Sequence, residues 1–281
     1  MVTERRVLDH GRVVLKGYSV DLEEDHQTLD LQIVRAARAS YTGGTKTVRE
    51  DKDLIDYLMR HGHWTPFEMV ELKFFLEMPL FVVQQLLRHR TASVNQESAR
   101  YSVLEEKAYL PETWRSQNQY NRQGSGEALT DDGTLSGQYL SALNASLSSY
   151  QALLQQGVAR ELARGVLPTA TYTKLYWKID LRNLLHFLRL RLDPHAQSEM
   201  RAYAQAIYEL VRPLAPWTFE AWERHVLHAV SFSADEWAVL REMLDGRWGE
   251  LETRLQQAGL SKSRLREFRQ KTSHERPPCR L

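Results

Sequence analysis

Two hydrophobic periods meet end to end at Pro79. Before it, Val70, Leu72, Phe74 and Leu76 alternate with Glu71 and Lys73, the period of a half-buried strand. After it, Leu80 to about His89 is apolar almost all round, the pattern of a buried helix. Burying one face of a strand together with the helix that follows it calls for a sheet covered by helices. The other segments agree. A short strand is predicted over Arg12–Val20 and a β-like run over Tyr172–Ile179. Helical spacing runs over Thr28–Ala39 and over Asp51–Arg60, where Gly62 ends it. Thr65-Pro-Phe-Glu68 satisfies the capping-box template, and Leu135 to Arg164 reads as one long helix. Asp180 is placed as the N-cap of a helix striped by Leu181, Leu184, Leu185, Leu188 and Leu192. Further helices are expected over His195–Val211, stopped by Pro213 and Pro216, and over Trp217–Val230. Ser233-Ala-Asp-Glu236 opens a last helical segment that Gly246 and Gly259 interrupt. Residues 91–134 are polar and turn-rich, with loops at Gly124-Ser-Gly126 and Asp131-Asp-Gly133. Strands and helices do not alternate as βαβ units. The expected class is α+β, mostly helical with a small, largely antiparallel sheet.

Composition narrows what such a fold does. Lys and Arg number 37 against 36 Asp and Glu, a formal charge of +1, which argues against a chain whose main task is coating nucleic acid or an anionic membrane. A locally basic pocket remains compatible. No run approaches the about 18 apolar residues of a transmembrane helix. Met1-Val-Thr-Glu-Arg-Arg6 leads into mixed polar sequence without a signal-peptide apolar region, and there is a single cysteine. These features give a cytoplasmic expectation. Cys279 follows Pro277-Pro278 in a polar tail, where an intrachain disulfide is excluded and a nucleophile would lack fixed geometry. Thiolate catalysis and cysteine-based metal sites are not expected, and no HExxH, P-loop, GxGxxG or GxSxG motif occurs.

Three stretches carry candidate chemistry. In Gln85 to Tyr101, a buried-looking helix runs into Arg88-His89-Arg90, then a loop of small polar side chains including Ser98, then Arg100. Cations at a helix C-terminus gain from the macrodipole, but consecutive side chains about 100° apart must meet different partners. Guanidinium forks at the mouth of an apolar pocket suit phosphate; a structural ion-pair cluster is the alternative. On the helix after Asp180, Arg182, His186 and Arg189 lie opposite the leucines, as a ligand-facing or simply solvated face, with Arg191 and His195 beyond. Tyr172, Tyr176 and Trp177 offer either flat surface for a ring system or ordinary aromatic core. In His61-Gly-His63-Trp-Thr65-Pro-Phe-Glu68, two histidines two residues apart lack a carboxylate or Cys partner, so no metal site is expected. The helix N-terminus there offers N–H donors to an anion such as pyrophosphate.

Arg88-His89-Arg90 followed by Ser98, with Arg100-Tyr101 continuing it, resembles the signature of flavin-dependent thymidylate synthases. The His61–Glu68 block, Val34-Arg-Ala-Ala-Arg-Ala-Ser40, Arg182-Asn-Leu-Leu-His-Phe187 and Leu190-Arg191-x-Asp193-x-His195-Ala-Gln197 resemble the family's other blocks, in family order, and Pro216-Trp-Thr-Phe219 resembles the end of its core. The resemblance covers roughly residues 10–225. It implies an FAD enzyme that reductively methylates dUMP to dTMP, with methylenetetrahydrofolate as one-carbon donor and NADPH as reductant. It also implies a homotetramer with active sites assembled from several subunits. A reduced flavin delivers hydride, so a placed cysteine is not needed.

Carried over residue by residue, the resemblance places Gln85 and Arg88 on dUMP, and Gln96, Glu97, Ser98 and Arg100 on its phosphate and sugar. Arg164 is a further phosphate candidate, and Arg191 lies against the pyrimidine as the activating catalytic group. The flavin is expected to engage Ser40, Thr65, Arg88, His89, Arg90, Gln96, Arg182 and His186, with Asp180 and His63 near. Ser98 is given a binding role, since no base stands beside it. Gln96 stands where many relatives carry Glu, and Asp180 and His186 replace amide-type residues of some relatives, so acid–base arguments at position 96 do not transfer. Residues 1–230 form the expected catalytic domain. Residues 231–281 are a helical extension, read as a hairpin packing on the body or on a neighbour. Arg264, Arg266, Arg269 and Lys271 near its end read as a solvated face, with nucleic-acid contact the alternative. The rival for the whole chain is an RNA- or nucleotide-binding module without turnover, which the balanced charge opposes.

Overall fold

The computed structural model describes residues 2–21, 28–39, 47–101, 107–119 and 124–272. Ser40 and Cys279 lie outside them. The chain divides into two compact units, Met1–His228 and Ala229–Leu281.

The first unit opens with a hairpin, β1 (Glu4–Val7) and β2 (Gly11–Tyr18), followed by α1 (Leu29–Arg38) and α2 (Val48–His61). Thr47 and Glu50 form a capping box on α2, and Gly62, at φ 67°, closes its other end in the left-handed conformation that glycine adopts without strain. A four-residue helix, α3 (Thr65–Glu68), leads into β3 (Glu71–Pro79), α4 (Leu80–Leu86) and β4 (Ser93–Gln96). A small hairpin, β5 (Arg115–Gln117) with β6 (Ser125–Ala128), precedes α5 (Thr134–Gln155) and α6 (Arg160–Ala163). Then come β7 (Tyr172–Asp180), α7 (Leu181–Arg191), α8 (Ser198–Val211) and α9 (Pro216–Trp222). The main sheet runs β1-β2-β3-β7-β4, and every pairing is antiparallel. The α+β expectation holds.

The alternation read before Pro79 sets the sheet's sides. Leu72, Phe74, Leu76 and Met78 of β3 and Leu175, Trp177 and Ile179 of β7 are buried, in one core with Leu181, Leu184, Leu185 and Leu188 of α7 and Met200, Tyr203 and Ile207 of α8. Each fully buried large apolar side chain of this kind contributes about 1.5–3 kcal/mol. The other face carries the cross-strand pair Phe75 and Tyr176, rings 5.4 Å apart, with the Arg12 guanidinium over Phe75. Asp30, fully buried in α1, accepts from the backbone N–H of Trp217 (2.8 Å) and Thr218 (2.9 Å) and from the Thr218 hydroxyl (2.6 Å). A carboxylate taken out of water thus finds three donors at the N-terminus of α9.

Several local expectations are corrected. The helix expected over 135–164 breaks at Gly157, at φ 80°, and resumes only as α6 and a 3₁₀ turn over Arg164–Val166. Thr65 is the first residue of α3 rather than its cap, because Trp64 occupies that position and Glu68 pairs with Arg182 instead of reaching back. α4 stops at Leu86: Arg88 N–H and His89 N–H bond three residues back, to Gln85 and Leu86, and this tightened turn releases Arg88, His89 and Arg90 from the helix. Part of the expected loop at 124–126 is strand β6, α8 begins at Ser198 rather than His195, and α9 passes into a π-helical turn at Glu223–Leu227.

The second unit holds α10 (Ala234–Met243), α11 (Trp248–Gln257) and α12 (Lys262–Thr272). Ser233 and Glu236 form the expected capping box, the Trp237 and Trp248 rings lie 6.4 Å apart, and Arg269 of α12 grips Glu252 of α11 at 2.7 Å. Among the described residues, no helix is long and apolar enough to cross a membrane.

Candidate functional site

The end of α4 and the end of α7 meet. Antiparallel pairing of β3 with β7 puts Pro79 opposite Tyr172, while the first turn of α7 starts beside Glu71, so the two strands and their following helices run past one another. Asp180 secures the start of α7: its carboxylate accepts from Asn183 N–H at 2.9 Å and from the Asn183 amide at 2.6 Å, as its N-cap position predicts. At the other end of α7, Arg191 Nε donates to His89 Nε2 at 3.0 Å. His89 also lies edge-on to Phe187, centroids 4.9 Å apart, and 6.2 Å from the His186 ring.

This packing controls charge. Burial, then the charges of Arg191 and His186, press the His89 imidazole down to about 4, so it is neutral at physiological pH. A neutral ring that accepts at Nε2 carries its proton on Nδ1. Burial also presses the half-buried Arg191 guanidinium below its ordinary value. Arg88 and Arg90 flank His89 with exposed side chains, and among the described residues their guanidinium groups meet no carboxylate.

On the adjoining side lies a cavity of about 440 Å³ lined by Trp64, Thr91, Arg182, His186, Arg189 and Trp222, among others. It gathers the segment after His63, the segment after Arg90 and the polar face of α7. Arg182 is held by Glu68 at 3.4 Å, and Thr65 is exposed beside Trp64. His63 is exposed and stacks with Tyr57 (5.9 Å) and His61 (6.1 Å).

The loop after β4 is anchored to β7. The Gln96 amide donates to Thr173 Oγ1 at 3.3 Å, and Glu97 N–H donates to the Lys174 carbonyl at 2.8 Å. Ser98 Oγ accepts from Arg100 N–H at 3.3 Å, while Arg100 pairs with Glu161 at 3.3 Å and Arg160 donates to the Tyr101 carbonyl at 2.7 Å. These contacts tie the loop to α6 and the following turn, where Arg164 is exposed. Gln85 of α4 is half-buried and hydrogen-bonded to Gln197.

The two Arg-rich segments therefore share one neighbourhood, and the cations of α7 face a cavity rather than open solvent alone. Sequence reasoning did not single out Trp64, Thr91 or Trp222 as lining groups, since nothing in their local pattern distinguishes a cavity wall from core. It also passed over Glu199, whose buried carboxylate accepts from Tyr109 and Arg115.

Comparison with known proteins identifies relatives over most of the chain. The profile of the Thymidylate synthase complementing protein family matches residues 22–217. The chain is 49% identical over 265 residues to a flavin-dependent thymidylate synthase of Thermus thermophilus, covering 94% of each. It is 48% identical over 243 residues to one of Dictyostelium discoideum, covering 85% of this chain and 80% of the relative. Among solved structures, a UMP/dUMP methylase of Streptomyces cacaoi bound with 5-Br dUMP superposes with a TM-score of 0.69 at 33% identity, covering 78% of this chain and 97% of that one.

Proposed function

This chain belongs to the flavin-dependent thymidylate synthase family, and from that premise we propose that it methylates dUMP to dTMP with FAD bound, methylenetetrahydrofolate as one-carbon donor and NADPH as reductant, in a homotetramer whose sites are shared between subunits. What carries this reading is the hydrogen bond from Arg191 to His89, with exposed Arg88 and Arg90 on either side. It joins the segment assigned to pyrimidine activation to the segment assigned to phosphate and cofactor.

The cavity beside α7 fits a flavin in its chemistry. The half-buried Trp64 ring offers flat apolar surface, and Arg182 and Arg189 offer guanidinium donors for a pyrophosphate. When bound, FAD supplies the reducing equivalents, so cysteine chemistry is not required.

The chain's own part is to bind, orient and polarise. Arg88 and the Gln96–Arg100 loop supply guanidinium, hydroxyl and backbone N–H donors for the nucleotide phosphate and sugar, with Arg164 as a further cation. Gln85 contacts the nucleotide through its amide. Arg191 lies against the pyrimidine ring, where a half-buried guanidinium stabilises negative charge developing around N3 and raises electron density at C5. His89 holds that guanidinium by accepting from Nε, leaving the terminal N–H groups for the ring. Gln96, bonded to Thr173, acts as a neutral hydrogen-bonding group and not as an acid or base.

The test is optical. Purified protein should be yellow, and its flavin absorbance should bleach when NADPH and dUMP are added without oxygen. Colourless protein that retards RNA in a gel would overturn the proposal in favour of a binding module.

A further inference from the structure

A relay of three side chains leads from the buried side of α8 to Gln85. The Glu199 side chain is 3% exposed and sits in the first turn of α8. Its carboxylate accepts from Tyr109 Oη at 3.1 Å, from the Arg115 guanidinium, and from Gln197 Nε2 at 2.8 Å. Gln197 in turn accepts at Oε1 from Gln85 Nε2. Burial alone would raise the Glu199 carboxyl, and the bonds from Arg115 and Gln197 hold it below its ordinary value, so it is ionised at neutral pH.

An ionised carboxylate offers acceptors only. The end of Gln197 that faces Glu199 must therefore be its NH2, which leaves its carbonyl oxygen toward Gln85. The end of Gln85 that faces Gln197 must then be its own NH2. One buried charge thus dictates the polarity of two successive amides, and Oε1 of Gln85 is left to meet a ligand.

We infer that Glu199 is a positioning residue: through Gln197 it fixes Gln85 as a hydrogen-bond acceptor for the nucleotide, selecting a ligand that presents a donor there, either the uracil N3–H or a sugar hydroxyl. This rests on the reading of Gln85 as a dUMP contact. A site with fixed polarity rejects an analogue lacking the matching donor, because the buried partner is left unpaired.

The experiment measures dUMP affinity of the FAD-loaded protein by calorimetry, with KM and kcat alongside. In Glu199→Gln the donors Arg115 and Tyr109 hold the amide oxygen, so its NH2 faces Gln197 and the relay reverses, turning the NH2 of Gln85 toward the ligand. Affinity for dUMP should fall about five- to tenfold, and KM should rise by the same factor with kcat at saturating dUMP retained. Gln197→Leu, which leaves Glu199 with Arg115 and Tyr109, should cause a similar loss and covers the case in which Glu199→Gln fails to fold. Gln85→Glu alone sets a carboxylate against the Gln197 oxygen and should lose more. Combined with Glu199→Gln, which turns the Gln197 NH2 toward position 85, the carboxylate gains a donor there while its other oxygen still accepts from the nucleotide, and affinity should regain at least fivefold over Gln85→Glu. N3-methyl-dUMP and 2′,3′-dideoxy-UMP separate the two donors: the analogue lacking the donor that Gln85 meets should bind wild type and Glu199→Gln alike. Unchanged dUMP affinity in Glu199→Gln or Gln197→Leu, additive losses in the double variant, or a full further loss with both analogues would each overturn the inference. Wild-type protein that binds flavin but no dUMP would instead overturn the functional reading, and this inference with it.

Discussion

Arg191 and His89 lie more than a hundred positions apart in the chain, yet Nε of one donates to Nε2 of the other at 3.0 Å. The bond separates two functions of a guanidinium. Nε is spent on orientation, and the terminal nitrogens are left for a ligand. Arg191→Ala should lower kcat about 10²–10³-fold, the cost of removing a preorganised charge-stabilising donor, while flavin content stays near wild type. Turnover assays with flavin absorbance check both; loss of flavin would assign Arg191 to cofactor binding instead.

The same bond makes a pH prediction. In the folded chain His89 titrates at about 4, against an ordinary value of 6.5, so between these pH values the unfolded chain holds more protons at this site. Its stabilising contribution is therefore complete above about 6.5 and is lost as pH falls toward 4. Denaturant midpoints of wild type should fall between pH 7 and pH 4.5 by more than those of His89→Gln, whose amide oxygen still accepts from Arg191 but does not titrate. Equal slopes in the two proteins would sink this assignment.

Asp30 offers a test of the scaffold. Its carboxylate takes three donors at the start of α9, and Asp30→Ala strands Trp217 N–H, Thr218 N–H and the Thr218 hydroxyl in a buried place. A loss of about 3 kcal/mol is expected from unpaired buried donors together with a missing cap. Urea unfolding at an unchanged m-value measures it.

Much of this architecture was legible because it follows from local chemistry. The period change at Pro79 placed a strand and a helix correctly, and Asp180 caps α7 as its position foretold. The misses are tertiary. Nothing near Leu86 says that the helix must stop there; the turn that frees Arg88 and His89 is set where His89 packs on Phe187 and Arg191, residues far along the chain. Asp30 reads as an ordinary first-turn acid until α9 is brought against it. Glu199 went unmarked because nothing in its local sequence distinguishes it from a solvated acid at a helix start, and only the arrival of Arg115 and Tyr109 makes its burial tolerable. The candidate site was legible as a set of segments, not as contacts, because which cation meets which acceptor depends on how those segments pack.

The single thiol gives a prediction of independence. If arginine and flavin chemistry suffice, Cys279→Ser should turn over at the wild-type rate, and an alkylating reagent should leave that rate unchanged. A rate that follows thiol content would overturn the cysteine-free mechanism.

Arg88 should behave differently from a residue that serves one ligand. Its guanidinium is exposed at the end of α4, three positions from Gln85, and pairs with no carboxylate among the described residues. Its removal breaks no ion pair with a described residue, so Arg88→Ala should keep the wild-type denaturation midpoint. Were sites shared between subunits, one such group would face a nucleotide phosphate and, across the interface, a flavin. Removing it should therefore weaken both dUMP and FAD, each by about 10- to 100-fold, the order expected for a lost charge-assisted hydrogen bond of about 1.5–3 kcal/mol. Titrations of apo-protein with FAD and of flavin-loaded protein with dUMP separate the effects. Weakened FAD binding with unchanged dUMP affinity would confine Arg88 to the cofactor, and the converse would confine it to the substrate.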